Sequence, residues 1–132
     1  MDTSFIVEQK KLGELLVKKI LKKKGKLVIG ESCTGGIISS IITSVPGSSK
    51  IFDQGLVTYS NKAKIDLLGV KESTLVSFGA VSREVVIEMV NGLFHISEAN
   101  IALSISGVAG PGDLNSKKPE GLIWIAYGQK GS

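Results

Sequence analysis

Three short polar stretches hold the residue types that can do chemistry. In the first, Glu31-Ser32-Cys33-Thr34-Gly35-Gly36 separates one apolar run from the next. A strand-to-helix turn of this kind can expose a hydroxyl nucleophile while the helix's first amides stabilise an oxyanion or a phosphate. The same spacing also suits Ser32 or Thr34 as an ordinary helix N-cap. Cys33 is a rival nucleophile, although free cysteines are commonly small buried residues. The second stretch, Tyr59 to Lys64, offers proton acceptors. Lys62 and Lys64 both lie near the end of a strand, and a lysine acts as a base once burial or a nearby cation lowers its pKa. Tyr59 can donate or relay a proton. The single histidine, His95, falls opposite Val85, Met89 and Leu93 at about 100° per residue, so it reads as a surface position and no Ser-His-Asp triad is expected.

The third stretch is Gly107-Val108-Ala109-Gly110-Pro111-Gly112. Its glycines follow the order of neither the dinucleotide-binding fingerprint nor the P-loop. What remains is a glycine-rich wall close to a small ligand, or an ordinary loop.

The elements that must position these stretches follow from periodicity. Phe5, Leu12, Leu15, Leu16 and Ile20 share one arc and predict an amphipathic first helix, with Lys19 snorkelling and Gly25 as its C′ residue. Leu27 to Gly30 reads as a short buried strand, Ile37 to Ile42 as a helix closed by Pro46-Gly47-Ser48-Ser49, and Gly55 to Tyr59 as a second strand. Asn61 can cap a short helix ending at Gly69, and a further one covers Glu72 to Phe78. Ser82 caps a helix whose apolar face is Val85, Val86, Met89, Val90, Leu93 and Ile96. Strands follow at Ile101 to Ser106 and Leu122 to Tyr127. Alternating strands and helices predict one layered α/β domain over 1–132, with no repeat or linker. If the strands are parallel, the three polar loops converge at their carboxyl ends.

The chain has 132 residues, 42% of them hydrophobic, with one cysteine and one histidine. A disulfide framework and a protein zinc site are therefore not expected. No run of ~18 apolar residues is present to span a bilayer, and the N-terminus lacks a signal pattern, so a cytoplasmic protein with no membrane partner is expected. The net charge of +4 resides wholly in residues 1–30, where Lys18, Lys19, Lys22, Lys23, Lys24 and Lys26 cluster without interleaved aromatics. This reads as a solvated helix end, not as a nucleic-acid interface. The run Leu122-Ile123-Trp124-Ile125-Ala126 needs cover on both faces, and the chain ends without a helix to provide it. An uncovered apolar edge is a template for pairing, which predicts a homo-oligomer.

Taken in order, Glu31-Ser-Cys-Thr-Gly-Gly36, Val57-Thr-Tyr-Ser-Asn61 with Lys64 and Leu68-Gly-Val70, Gly79-Ala-Val-Ser82, Ser104-Ile-Ser-Gly-Val-Ala-Gly-Pro111 and Lys118-Pro-Glu-Gly121 resemble a known family. It is the C-terminal domain of the competence/damage-inducible protein CinA, whose stand-alone members are nicotinamide mononucleotide deamidases. The resemblance implies a three-layer α/β/α sandwich with a mixed sheet. It also implies hydrolysis of the nicotinamide carboxamide to nicotinate mononucleotide and ammonia, a step in pyridine-nucleotide salvage, with neither metal nor cofactor. The family's serine nucleophile falls on Ser32, its lysine base on Lys64, its tyrosine on Tyr59, and a hydroxyl lining its site on Ser106. Thr34, Gly35, Gly36, Gly107 and Gly110 are then the expected substrate contacts. Two departures stand out: the family continues with another strand and a helix carrying a site arginine, and it more often has a Gly-Gly pair after the position of Pro111. A second reading follows from them, a non-catalytic binding or regulatory module descended from the enzyme and linked to competence or DNA damage.

Overall fold

The computed structural model describes residues 3–110 and 117–131. Its organising element is β1 (Leu27–Glu31), in which every residue is buried. A strand buried on both faces belongs at the centre of a covered sheet, and β1 lies between β2 (Phe52–Val57) and β3 (Ile101–Gly107), parallel to both. β4 (Ile123–Gln129) runs antiparallel to β3 and completes the order β2-β1-β3-β4. The sheet is therefore mixed.

Two cores form because side chains alternate across the strands. Leu27, Ile29 and Ile101 face Val17 and Ile20 of α1 (Thr3–Lys22) and Ile42 of α2 (Ile37–Thr43). Val28 and Ala102 face the opposite layer, made by α3 (Asn61–Leu68), α4 (Glu72–Phe78) and α5 (Arg83–Ile96), with Leu68, Leu75, Val86, Met89 and Leu93 in that core. The result is the three-layer α/β/α sandwich. No helix among the described residues is long and apolar enough to cross a membrane.

Several local expectations shift. The buried stripe of α1 is Gly13, Val17 and Ile20, whereas Phe5, Leu12, Leu15 and Leu16 are exposed. The cause is a close helix crossing: a Cβ on Gly13 would lie 3.1 Å from Ile41 Cγ2, so the helix seats on its glycine, not on the centre of its apolar arc. The left-handed residue after α1 is Lys24 (φ 56°), not Gly25. Gly25 is instead required for space, since its Cβ would meet Ile101 Cδ1 at 2.9 Å. Ser60, not Asn61, caps α3, accepting from Ala63 N, while Gly69 ends it at φ 67° as expected. The second strand begins three residues earlier than its apolar pattern suggests, because an edge strand pairs its backbone whatever its side chains.

The joint between α3 and α5 is the tightest constraint on the functional layer. A Cβ on Gly92 would sit 2.0 Å from the Leu68 carbonyl oxygen, so only glycine lets α5 reach the end of α3. Gly92→Ala must push backbone against backbone, at a cost of about 1–3 kcal/mol. Urea unfolding should show that loss of stability; a variant as stable as the parent would mean that the joint relaxes freely.

Candidate active site

The helix after β1 packs on one face of the sheet, and the helices after β2 pack on the other. The two layers therefore diverge at the carboxyl ends of these two strands, the usual ligand position in such sheets. Ser32 stands at the end of β1, anchored through its N–H to the Ile105 carbonyl of β3 at 3.0 Å. The chain then turns through Gly35 (φ 63°) and Gly36 (φ 109°), left-handed conformations that favour glycine, and enters α2. Gly35 N–H bonds back to Ser32 O at 3.1 Å and closes the turn.

Lys64 comes from the first turns of α3 and is fully buried, with 1% of its surface exposed. Its Nζ has three oxygen partners: Ser32 Oγ at 3.0 Å, Thr58 O at 2.9 Å and Tyr59 O at 2.9 Å. The two carbonyls lie where the chain leaves β2, so the amine joins the ends of β1 and β2. Ser32 Oγ is also 3.4 Å from Tyr59 O. The structure thus brings Ser32 and Lys64 together and separates Lys64 from its rival. Lys62 is exposed and paired with Asp66 one helical turn on, an interaction that raises its pKa.

The other expected residues occupy varied positions. Tyr59 touches the amine through its backbone carbonyl, while its side chain is exposed to 67%. Thr34 donates its hydroxyl to Glu31 Oε1 at 2.6 Å. Ser106 is buried and donates to Ala80 O at 2.9 Å, bracing the end of β3 against the approach to α5. Gly107 allows strand, turn and loop to meet: its Cβ would be 2.9 Å from Leu122 O and 3.0 Å from Cys33 Sγ. Gly110 leaves room for Glu120, whose Oε1 would stand 1.8 Å from an added Cβ. Pro111 to Ser116 lie outside the described residues. Burial pushes the Cys33 thiol pKa up, which keeps it protonated and weakens it as a nucleophile. His95 is exposed on the last turn of α5, with Nδ1 2.8 Å from Asn91 O.

Two contributors went unassigned in the sequence reading. Glu31 is wholly buried, whereas the sequence places it only at the head of the polar turn that follows Leu27 to Gly30. Lys118 donates to the carbonyls of Phe78 and Val81, pinning the third loop to the segment between α4 and α5. Its place in the Lys-Pro-Glu-Gly motif gave no hint of that bond.

A three-layer α/β domain with a serine hydroxyl held against a buried lysine amine defines the class. The family follows from comparison: residues 9–132 match the CinA C-terminal domain, and the chain belongs to that family. It is 50% identical over 127 residues to the nicotinamide-nucleotide amidohydrolase PncC of Enterobacter agglomerans, covering 94% of this chain and 77% of that protein. A CinA-like protein of Thermotoga neapolitana is 44% identical over 119 residues, but the match spans 90% of this chain and only 29% of the relative. Among solved structures, the competence/damage inducible protein CihA of Agrobacterium tumefaciens superposes with a TM-score of 0.88 at 39% identity, over 92% of this chain and 74% of the other. A CinA superfamily protein of Escherichia coli gives 0.90 at 30% identity, over 94% and 72%.

Burial of Lys64 disfavours its ammonium form and lowers its pKa from the ordinary lysine value, an effect that the nearby Cys33 offsets in part. Between the lowered folded value and the unfolded value, the unfolded chain binds more protons, so stability rises with pH across that window; below it the penalty is constant. Lys64→Met removes this contribution. The stability of the parent relative to Lys64→Met should therefore grow on raising the pH toward ~10, by at most about 1.4 kcal/mol per unit. Urea titrations at several pH values test this, and a difference that stays flat would mean the amine is not desolvated.

Proposed function

We propose that this chain is an amidohydrolase that converts nicotinamide mononucleotide to nicotinate mononucleotide and ammonia through Ser32 and Lys64. The observation that carries the reading is the set of partners around Lys64 Nζ. A neutral amine has two N–H donors and one lone pair, and a carbonyl oxygen can only accept. With Thr58 O and Tyr59 O taking the two N–H bonds, the lone pair is left facing Ser32 Oγ. As the bonds are oriented, Nζ donates to Ser32 Oγ and the hydroxyl donates to Tyr59 O; on deprotonation of Lys64 the hydroxyl turns toward the lone pair, the arrangement a general base requires.

Ser32 Oγ attacks the carboxamide carbon as its proton passes to Lys64. The amides of Thr34 and Gly36 hold the oxyanion, Gly35 N–H being engaged with Ser32 O. The C–N bond breaks and ammonia leaves with a proton returned from Lys64 Nζ, giving a nicotinoyl ester on Ser32. Water, deprotonated by Lys64, then adds to the ester, the C–Oγ bond breaks and Ser32 recovers its proton. Tyr59, whose phenol is exposed, is the proposed second proton donor. Ser106, Gly107 and Gly110 are the proposed wall on the side of β3 and the third loop. The name of the Enterobacter relative supports the nucleotide amide as substrate, and no step needs a cofactor.

Incubation with nicotinamide mononucleotide should release ammonia, and Ser32→Ala should abolish the release. Lys64→Arg should be as inactive as Lys64→Ala, with kcat lowered ~10²–10⁴-fold, because a guanidinium stays protonated. An arginine variant within a few-fold of the parent would sink the serine–lysine mechanism. Nucleotide binding without ammonia would favour the non-catalytic module.

A second copy of the chain is the proposed partner. One face of β4 is covered by α5, with Gly128 against Val90 and Phe94, but Ile123, Ile125 and Tyr127 on the other face are exposed. β4 is also, with β2, one of the two edge strands of the sheet among the described residues. Light scattering at micromolar concentration should give a dimer or larger; a clean monomer would count against self-association through this edge.

A further inference from the structure

The mechanism leaves one buried charge unused. Glu31 is 0% exposed, sits one residue before the nucleophile, and has no cationic partner: the ion pair among the described residues is Lys62 with Asp66. An unpaired carboxylate in that position costs several kcal/mol unless hydrogen bonds replace its water. They do. Oε1 accepts from Thr34 Oγ1 at 2.6 Å and Ile38 N at 2.9 Å, and Oε2 accepts from Ser39 N at 2.9 Å. Burial alone would raise the Glu31 pKa, yet the bonds from Thr34, Ser39 and Ile38 together hold it below the ordinary value, so the group is a carboxylate.

The Ser39 hydroxyl adds a further bond, and every one of these donors lies beyond Ser32 in the chain. Gly36, the N-cap of α2, has no side chain for capping, and Glu31 takes over that task from five residues upstream. Meanwhile the Glu31 carbonyl accepts from Thr58 N at 2.8 Å, and Ser32 N–H is held by Ile105 O at 3.0 Å. The backbone bonds fix the chain entering the turn, and the carboxylate fixes the chain leaving it. Ser32 lies between these two sets of ties.

We propose that Glu31 is a positioning residue whose buried carboxylate locks the turn from Ser32 to Gly36 onto α2, so that Ser32 Oγ stays against Lys64 Nζ. The inference rests on the serine–lysine reading of the site. Glu31 itself does not reach the reacting atoms, since its oxygens are occupied by its own turn and the Lys64 amine has Ser32, Thr58 and Tyr59 as partners. A neutral side chain of the same size cannot substitute. Glutamine presents one acceptor oxygen and an NH₂ group, and that NH₂ would face a backbone N–H.

The test compares the parent, Glu31→Gln, Thr34→Val and Thr34→Ser by three readouts. These are kcat and KM for nicotinamide mononucleotide, the rate at which a fluorophosphonate labels Ser32, and the melting temperature. A misplaced nucleophile loses turnover more than binding, so Glu31→Gln should lower kcat ~10²-fold with KM changed less than about threefold. Ser32 labelling should slow in parallel. Thr34→Val, which removes one of the carboxylate's donors, should lower both rates ~10-fold, and Thr34→Ser should restore them. A folded Glu31→Gln protein that keeps both rates within threefold of the parent, with only its melting temperature lowered, overturns the proposal and leaves Glu31 as a helix cap. If Glu31→Gln does not fold, Thr34→Val decides, and parental rates in it overturn the proposal equally. A parent that labels at Ser32 but releases no ammonia refutes the substrate alone, and the labelling rates still test Glu31. A parent that labels no faster than Ser32→Ala overturns the serine–lysine reading together with this one.

Discussion

An amine buried among three oxygens is the interaction on which the rest of the site depends. Among the described residues Lys64 has no carboxylate partner, and its nitrogen is held by one hydroxyl and two backbone carbonyls. The three oxygens can accept from all three N–H groups of the ammonium, so it is burial that penalises the charged form and lowers the pKa. A carboxylate at Nζ would have stabilised the ammonium and weakened the amine for the proposed role of base. Burial and the choice of neutral partners together make a lysine useful here.

That burial constrains the fold around it. α3 must lie close enough to the sheet for Nζ to reach the ends of β1 and β2. Its start is set by the Ser60 cap, its end by Gly69, and its lateral position by contact with α5 at Gly92. Ser32 is held from the other side of the site by strand pairing, by two left-handed glycines and by the Glu31 carboxylate. The two halves of the site therefore belong to different layers of the sandwich, and the central sheet fixes their separation. The charges follow the same logic: Glu31 and Lys64 are both buried next to Ser32, yet each is satisfied by its own hydrogen bonds instead of by the other.

Much of this was legible in the chain. The alternation of short Val/Ile/Leu strands with capped helices predicted the layered α/β class, and the glycines at 35, 36 and 69 marked turns at which the backbone does take up positive φ. Ser32 and Lys64 were singled out first by residue type and then by resemblance. Spacing alone left Lys62 beside Lys64, Cys33 beside Ser32, and an ordinary N-cap beside the nucleophile. Periodicity also misjudged α1, because an apolar arc reports what a helix could bury and not which side its neighbour can approach; Gly13 decided that.

The sequence by itself determined the local conformations, since capping, glycine torsions and strand alternation depend on neighbours a few residues away. It determined the candidate chemistry too, because that is a property of residue types. Only the tertiary structure decided which candidates act together. Ser32 and Lys64 are far apart in the chain and become partners through a parallel pairing whose register no local pattern encodes. The same folding made Lys64 buried and Lys62 exposed, although they are two residues apart, and it turned Glu31 from an acid at the head of a polar turn into the anchor of that turn. Burial sets both pKa and hydrogen-bond demand, and it is a property of the assembled layers.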